Sequence, residues 1–233
     1  MFVGHFALGF AAKRAAPEVS LGVLFATAEF ADLLWPNLVL LGIEKVAIAP
    51  GETAVTPLRF DSYPWSHSLV ALAAWGVLFG AGYFFVRRRS TRAAGTLLAL
   101  VLSHWLLDFL SHEPDMPLTL RGGTRLGLGL WNSRPGTLAV ELLLFAAGVA
   151  IYARSTSARD RTGRWALWTL VAFLAALYLA SFFGPPPPSA AAVAWSGEGI
   201  WLIVLWAAWA DRHRVPRAVP REVSISQAKG AAA

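Results

Sequence analysis

The sequence contains no cysteine, so neither a disulfide framework nor a thiolate metal site can form. Charge is scarce as well. Asp, Glu, Lys and Arg make up 15% of the 233 residues, against 56% hydrophobic. Ordinary soluble domains carry about 25% charged residues, and with a mean hydropathy of +0.53 the composition excludes that class. Length alone would allow one or two soluble domains, but the apolar runs favour one polytopic membrane domain. Acidic residues are the minority, 14 against 20 basic, for a net charge of +6 and an isoelectric point near 10.3. Basic chains invite a nucleic-acid reading. Here no aromatic-basic patch stands apart from the edges of the apolar runs, so no nucleic-acid partner is expected.

Apolar runs cover Phe2–Ala12, Leu21–Ile43, Ser68–Val86, Thr96–Leu110, Leu138–Tyr152, Trp165–Phe183 and Ala190–Ala210. Most approach the roughly 20 residues a spanning helix needs, which predicts an all-α polytopic transmembrane bundle of six or seven helices over residues 1–212. The first run is short, and its charges follow rather than precede it, so it reads as a helix and not as a cleaved leader. Basic clusters flank the runs: Lys13-Arg14, Arg87-Arg88-Arg89 with Arg92, Arg154 to Arg164, and Arg212 to Arg221. Alternating the spans places every cluster on one side, the cytoplasmic side by the positive-inside rule. The location expected is a bacterial inner membrane, with a disordered cytoplasmic tail over residues 213–233. Gly184-Pro185-Pro186-Pro187-Pro188 falls on the outer side as a stiff connection. A proline at Pro36, after Trp35, is expected to break or kink the second run.

Against this background the polar residues inside apolar runs carry the information, because an ionisable group in hydrocarbon is costly. In Ser103-His104-Trp105-Leu106-Leu107-Asp108-Phe109-Leu110-Ser111-His112, His104 and Asp108 are four apart and share a helical face. His112 falls roughly 80° around the same helix and can join them. Counted from Pro17, His5 lies as far back as Glu29 lies forward, so an antiparallel pair puts them at one depth, with Asp32 a turn further out. His67 opens the next span and Glu141 lies a turn inside another. Four of the five histidines belong to this set; His213 sits among the basic residues, where a solvated role is expected. Each group has a plain alternative: hydrogen-bonded packing for an isolated histidine, interhelical glue for Glu29 and Asp32, and a bond to Trp131 or Asn132 for Glu141. Convergence of several of them at one level favours a metal site, with a proton relay as the rival.

Gly4-His5-Phe6-Ala7-Leu8-Gly9, Ala31-Asp32-Leu33-Leu34-Trp35-Pro36, Ser66-His67-Ser68-Leu69 and His104 with Asp108 resemble motifs of a family of bacterial inner-membrane metal-dependent hydrolases. That family is itself similar, at motif level, to zinc-dependent phospholipase C. The resemblance reaches as far as about Asp115 and implies His5, Asp32, His67, His104 and Asp108 as metal ligands, with His112 an addition. Two departures stand out. The family's Pro-Asp-x-Asp has Ala31 in place of proline and Leu34 in place of the second aspartate. An earlier family histidine is replaced by Ser62. Fewer ligands than the family pattern suit a single-ion site, or a binding site without turnover.

Histidine and carboxylate without thiolate suit Zn²⁺, and also Mn²⁺ or Fe²⁺. The expected activity is hydrolysis of a lipid-like ester, phosphoester or amide drawn from the membrane. Glu29 is the expected general base, with Asp115 as a second proton acceptor or a recruiter of a substrate cation. The outer loop Thr119–Pro135 carries Arg121, Arg125 and Arg134, which either attract an anionic headgroup or merely solvate the loop. Trp131-Asn132 forms a lid or an interfacial anchor. A proton- or ion-coupled transporter, and a structural membrane protein whose polar groups only fix packing, are the alternatives.

Overall fold

In the computed structural model, which describes residues 1–87, 90–121 and 123–217, every apolar run is helical. Four helices lie in the first part of the chain: α1 (Val3–Ala15), α2 (Leu21–Ala28), α3 (Phe30–Leu40) and the single turn α4 (Pro64–His67). The long helices α5 (Leu69–Val86), α6 (Thr91–Ser111), α7 (Arg134–Ser155) and α8 (Arg161–Phe183) follow, and α9 (Ala190–Gly197) and α10 (Ile200–Arg212) close the chain. The fold is all-α. Three short antiparallel ribbons only clip loops: β1 (Lys45–Ile48) with β2 (Leu58–Ser62), β3 (Met116–Pro117) with β4 (Arg125–Leu126), and β5 (Thr156–Ala158) with β6 (Arg214–Pro216). Among the described residues five helices, counting Ala190–Arg212 as one, are long and apolar enough to cross a membrane, and the bent pair α2–α3, taken as one span, makes a sixth. The chain is thus built as a multi-pass membrane protein. Serine or aspartate caps set most helix starts: Ser20, Ser68, Ser90, Ser133, Asp160 and Ser189 each accept an N–H from the first turn, worth about 1 kcal/mol apiece.

Two expectations about the chain path are corrected. The second run bends by 56° at Glu29, while Pro36 sits inside α3. Proline lacks only the N–H that would reach the Asp32 carbonyl, and its ring is accommodated by Gly197, where a Cβ would come within 2.6 Å of Pro36 Cγ. The expected tail over residues 213–233 is corrected at its start, where residues 213–216 are ordered. Arg214–Pro216 pairs with Thr156–Ala158, the Arg214 guanidinium donates to Thr156 and to the Gly163 carbonyl, and His213 Nδ1 donates to Asp160 at 2.8 Å. That bond, together with the Gly163 N–H, holds the Asp160 carboxyl below its usual range. Residues 218–233, and the arginines at 88 and 89, lie outside the described residues.

Helix α1 is too short to count as a span, yet it is the central one. Val3, Gly4, His5, Phe6, Ala7, Gly9, Phe10, Ala12 and Lys13 are all buried, packed against α2, α6 and α7. Close approach to α7 depends on Gly148, where a Cβ would lie 2.3 Å from the Ala7 carbonyl oxygen. Backbone cannot yield as a side chain does. Gly148→Ala is expected to cost about 1–3 kcal/mol as overpacking, read by thermal unfolding in detergent; an unchanged midpoint would show that α1 and α7 can slide apart freely.

Contacts sort the polar residues into two ends. At the basic end Arg92 reaches the Arg14 carbonyl and Ser90 reaches Glu18. There too, buried Lys13 meets Asp211 at 2.6 Å, with Tyr152 donating to the other Asp211 oxygen. Trp165, Trp168 and Trp209 are exposed near this end, and Trp65 and Trp195 near the opposite one, the placement of interfacial tryptophan belts. The buried histidines occupy the opposite end.

Candidate metal centre

Helix α6 carries His104 and Asp108 into the bundle on one face, and their Nε2 and Oδ2 atoms lie 3.1 Å apart. The bend between α2 and α3 supplies the next part. Helix α2 ends at Ala28, whose carbonyl belongs to the last turn, where acceptors lack helical partners. His104 Nδ1 donates to that carbonyl at 2.8 Å, which leaves Nε2 with its lone pair. This nitrogen faces Asp108 and also Asp32, at 3.8 Å, and makes no hydrogen bond among the described residues. A buried lone pair facing two carboxylates is repulsive unless a proton or a metal cation lies between them.

His67, at the end of α4, completes the group. Its Nε2 is 3.4 Å from Asp32 Oδ1 and 3.8 Å from Asp108 Oδ2. An ion with four ligands at about 2.0–2.2 Å in a tetrahedron holds its ligand atoms about 3.4 Å apart. Near that edge length lie His104–Asp108 at 3.1 Å and His67–Asp32 at 3.4 Å, while His67–Asp108 and His104–Asp32 are longer at 3.8 Å, with Asp32 turning Oδ1 to His67 and Oδ2 to His104. His5 approaches from α1, its ring stacked on His104 at 3.7 Å and its Nε2 3.1 Å from Asp108 Oδ1. The Met1 ammonium donates to the same oxygen and lies 3.1 Å from His5 Nε2 and 3.4 Å from Ser111 Oγ. Asp108 thus divides its oxygens, Oδ2 to His67 and His104, Oδ1 to His5 and Met1. Two overlapping groups, His5–His104–Asp108 and Asp32–His67–His104, could each hold a metal ion. The side chain of Asp32 is 30% exposed, while those of the others are at most 5% exposed, so the centre opens on the Asp32 side.

Searches against protein-family models, curated proteins and solved structures find no match to this chain.

Of the residues expected at the site, His5, Asp32, His67, His104 and Asp108 come together. His112 does not. His112 is the C-cap of α6 and its N–H still closes a helical bond to the Asp108 carbonyl, but eight residues on from His104 its side chain leaves about 80° around the helix and about 12 Å further along the axis. Its Nδ1 donates to Asp115 at 3.0 Å, and its ring lies 4.2 Å from that of Trp131. Asp115 likewise stays in this outer layer, where Tyr63 donates to it at 2.8 Å. Burial, and then the Asp115 carboxylate, raise the Tyr63 phenol far above its ordinary range and keep it a donor. Asp115, Phe60 and Trp131 line a cleft of about 230 Å³, and Arg121 and Arg125 line another of about 310 Å³. Neither cleft is lined by the clustered histidines.

Glu29 is buried at the bend, with Oε1 unpartnered among the described residues. Glu141 joins neither a metal group nor Trp131 and Asn132. It accepts the Phe2 and Gly4 N–H groups at 2.8 and 3.2 Å, capping the helix that carries His5, where a carboxylate also suits the helix dipole. Two of the loop arginines hold the loop itself. Arg134 donates to the carbonyls of Ala54 and Phe182, and Arg125 to that of Asp61. Trp131 covers His112, and Asn132 bonds Glu113.

Residues that pattern reading passed over are Glu44 and Ser66, both buried beside His67. Ser66 stood next to a candidate ligand and was within reach of inspection; Glu44, 22 positions earlier, was not.

Proposed function

We propose that this chain is a membrane-embedded metal-dependent hydrolase of a lipid-like ester, phosphoester or amide, located in a bacterial inner membrane with its basic end in the cytoplasm. The observation that carries the reading is the pair of overlapping groups His5–His104–Asp108 and Asp32–His67–His104, which share a His104 whose Nδ1 proton is fixed on a backbone carbonyl and whose Nε2 makes no hydrogen bond among the described residues. Metal-ligating histidines characteristically donate their second nitrogen to a carbonyl or carboxylate in this way. The all-nitrogen and oxygen donor set favours Zn²⁺ and also accepts Mn²⁺ or Fe²⁺. The resemblance of the Gly4–Gly9, Ala31–Pro36 and Ser66–Leu69 motifs to inner-membrane metal-dependent hydrolases supports the same class.

A bound divalent ion would supply an activated water and polarise a carbonyl or phosphoryl oxygen. The chain's own groups do the rest. Asp32, the partly open member, borders the entry. Glu29, three residues before it and with Oε1 unpartnered among the described residues, is the candidate proton acceptor. Asp115 and His112, held in the outer layer, are left to recruitment of the polar part of a substrate. Substrate drawn from the membrane fits a centre one turn from the end of a spanning helix, with apolar α5 and α3 beside it.

The test is elemental analysis of detergent-purified protein prepared without chelator, beside His104→Ala. About one equivalent of transition metal is expected in the wild type, and background in the variant. Background metal in the wild type would overturn this reading; proton-coupled uptake into liposomes that depends on Glu29 would then favour the transporter, and a retained fold with neither would leave the structural role.

A further inference from the structure

Glu44 follows α3 in the chain and is 1% exposed, yet it belongs to neither group of clustered donors. Its oxygens are fully engaged. Oε1 accepts the N–H groups of Trp65 and Ser66 at 2.7 and 3.0 Å, and Oε2 accepts the Ser66 hydroxyl at 2.5 Å. The Ser66 hydroxyl has one proton, and a carboxylate can only accept, so that proton is committed to Glu44. Ser66 Oγ must then act as acceptor toward His67 Nδ1, 2.7 Å away. The proton of His67 is thereby placed on Nδ1, and the lone pair on Nε2, the atom that faces Asp32 and Asp108.

We propose that Glu44 and Ser66 are positioning residues that fix the tautomer and ring orientation of His67 for metal ligation. This rests on the metal reading above. It gives His67 through side chains what the Ala28 carbonyl gives His104 through the backbone, so both histidines present Nε2 to the same space. Ser66 is fully buried and its proton is taken, which removes it as a nucleophile.

The arrangement has a directional consequence. In Glu44→Gln the amide oxygen is held in place by the two backbone N–H groups, so the NH₂ faces Ser66 and donates to it. The serine proton then turns to His67 Nδ1, the imidazole proton moves to Nε2, and the ligating lone pair is lost. An isosteric change with no contact to the ion should therefore weaken the site.

The experiment is a Zn²⁺ titration of the purified full chain in detergent for wild type, Glu44→Gln and Ser66→Ala, together with ¹⁵N-histidine NMR of the metal-free proteins to read the His67 tautomer. Glu44→Gln is expected to lower affinity by about 10–100-fold, the usual effect of losing such a partner, with the His67 proton on Nε2. Ser66→Ala, a smaller change that keeps the fold testable should Glu44→Gln misfold, is expected to weaken binding and give a mixture of tautomers. Wild-type affinity and an unchanged Nδ1–H tautomer in both variants would overturn the positioning role and leave the metal reading standing. A wild type that binds no Zn²⁺ would overturn both the metal reading and this role in ligation, and its tautomer spectrum would then report only a packing contact.

Discussion

Asp108→Asn is expected to empty the centre of metal, from about one equivalent to background, as fully as His104→Ala does and with a far smaller change of shape. The reason lies in how the carboxylate is shared. Oδ2 faces His104 at 3.1 Å and His67 at 3.8 Å, while Oδ1 faces His5 at 3.1 Å and the Met1 ammonium. Asparagine keeps the shape but removes the charge, and its NH₂ must point at groups placed to meet an anion. The ammonium also loses its counter-charge in a fully buried setting. Breaking a buried pair from one side costs on the order of 3–5 kcal/mol. Elemental analysis and thermal unfolding in detergent read the two consequences separately. His5→Ala, which touches only Oδ1, should retain more metal than Asp108→Asn. Stoichiometric metal in Asp108→Asn would remove Asp108 from the ligand set.

The second large effect is expected at the opposite end and should leave the site untouched. Asp211 on α10 accepts Lys13 of α1 at 2.6 Å, the Leu21 N–H of α2 at 3.1 Å and the Tyr152 hydroxyl of α7 at 2.7 Å. One carboxylate thus ties four helices together. In Asp211→Ala the buried Lys13 ammonium keeps only the Val19 carbonyl, and the loss should again be on the order of 3–5 kcal/mol. Tyr152→Phe, which removes one neutral donor, should cost about 1 kcal/mol. Combining Lys13→Met with Asp211→Leu removes both charges and should recover most of the stability, because an apolar pair can replace a buried ion pair at little cost. Zn²⁺ affinity of the folded protein should match wild type throughout. An unfolding midpoint unmoved by Asp211→Ala would show that the pair does not hold this end.

Local chemistry made much of this legible. Apolar runs locate the helices because lipid leaves backbone groups no partner other than their own chain, and the arginine clusters mark one end without any coordinates. Spacing put His104 and Asp108 on one face, and counting from Pro17 put His5 level with the Ala28–Glu29 bend, where the stacked His5 and His104 rings lie. Pattern failed where an outcome depended on a partner far away in the chain. Proline is the usual local cause of a bend and points to Pro36; the bend lies at Glu29 instead, and Gly197 makes room for the Pro36 ring from another helix. Helical periodicity brings His112 toward the same side of α6, but about 12 Å further along the axis its ring meets Asp115 and Trp131 instead.

The sequence by itself therefore determined an all-α membrane bundle and its basic end, since these follow from hydropathy and charge; periodicity paired His104 with Asp108, and motif resemblance added His5, Asp32 and His67 beside a His112 that stays apart. Only the tertiary structure decided which atoms of those residues face one another. A carbonyl exposed by a bend orients His104, a glutamate and a serine across a loop orient His67, and a second glutamate, Glu141, holds the helix of His5. Each of these is a hydrogen bond between segments remote in the chain. Its existence depends on where the packed helices leave a donor or an acceptor without water, which no local pattern encodes.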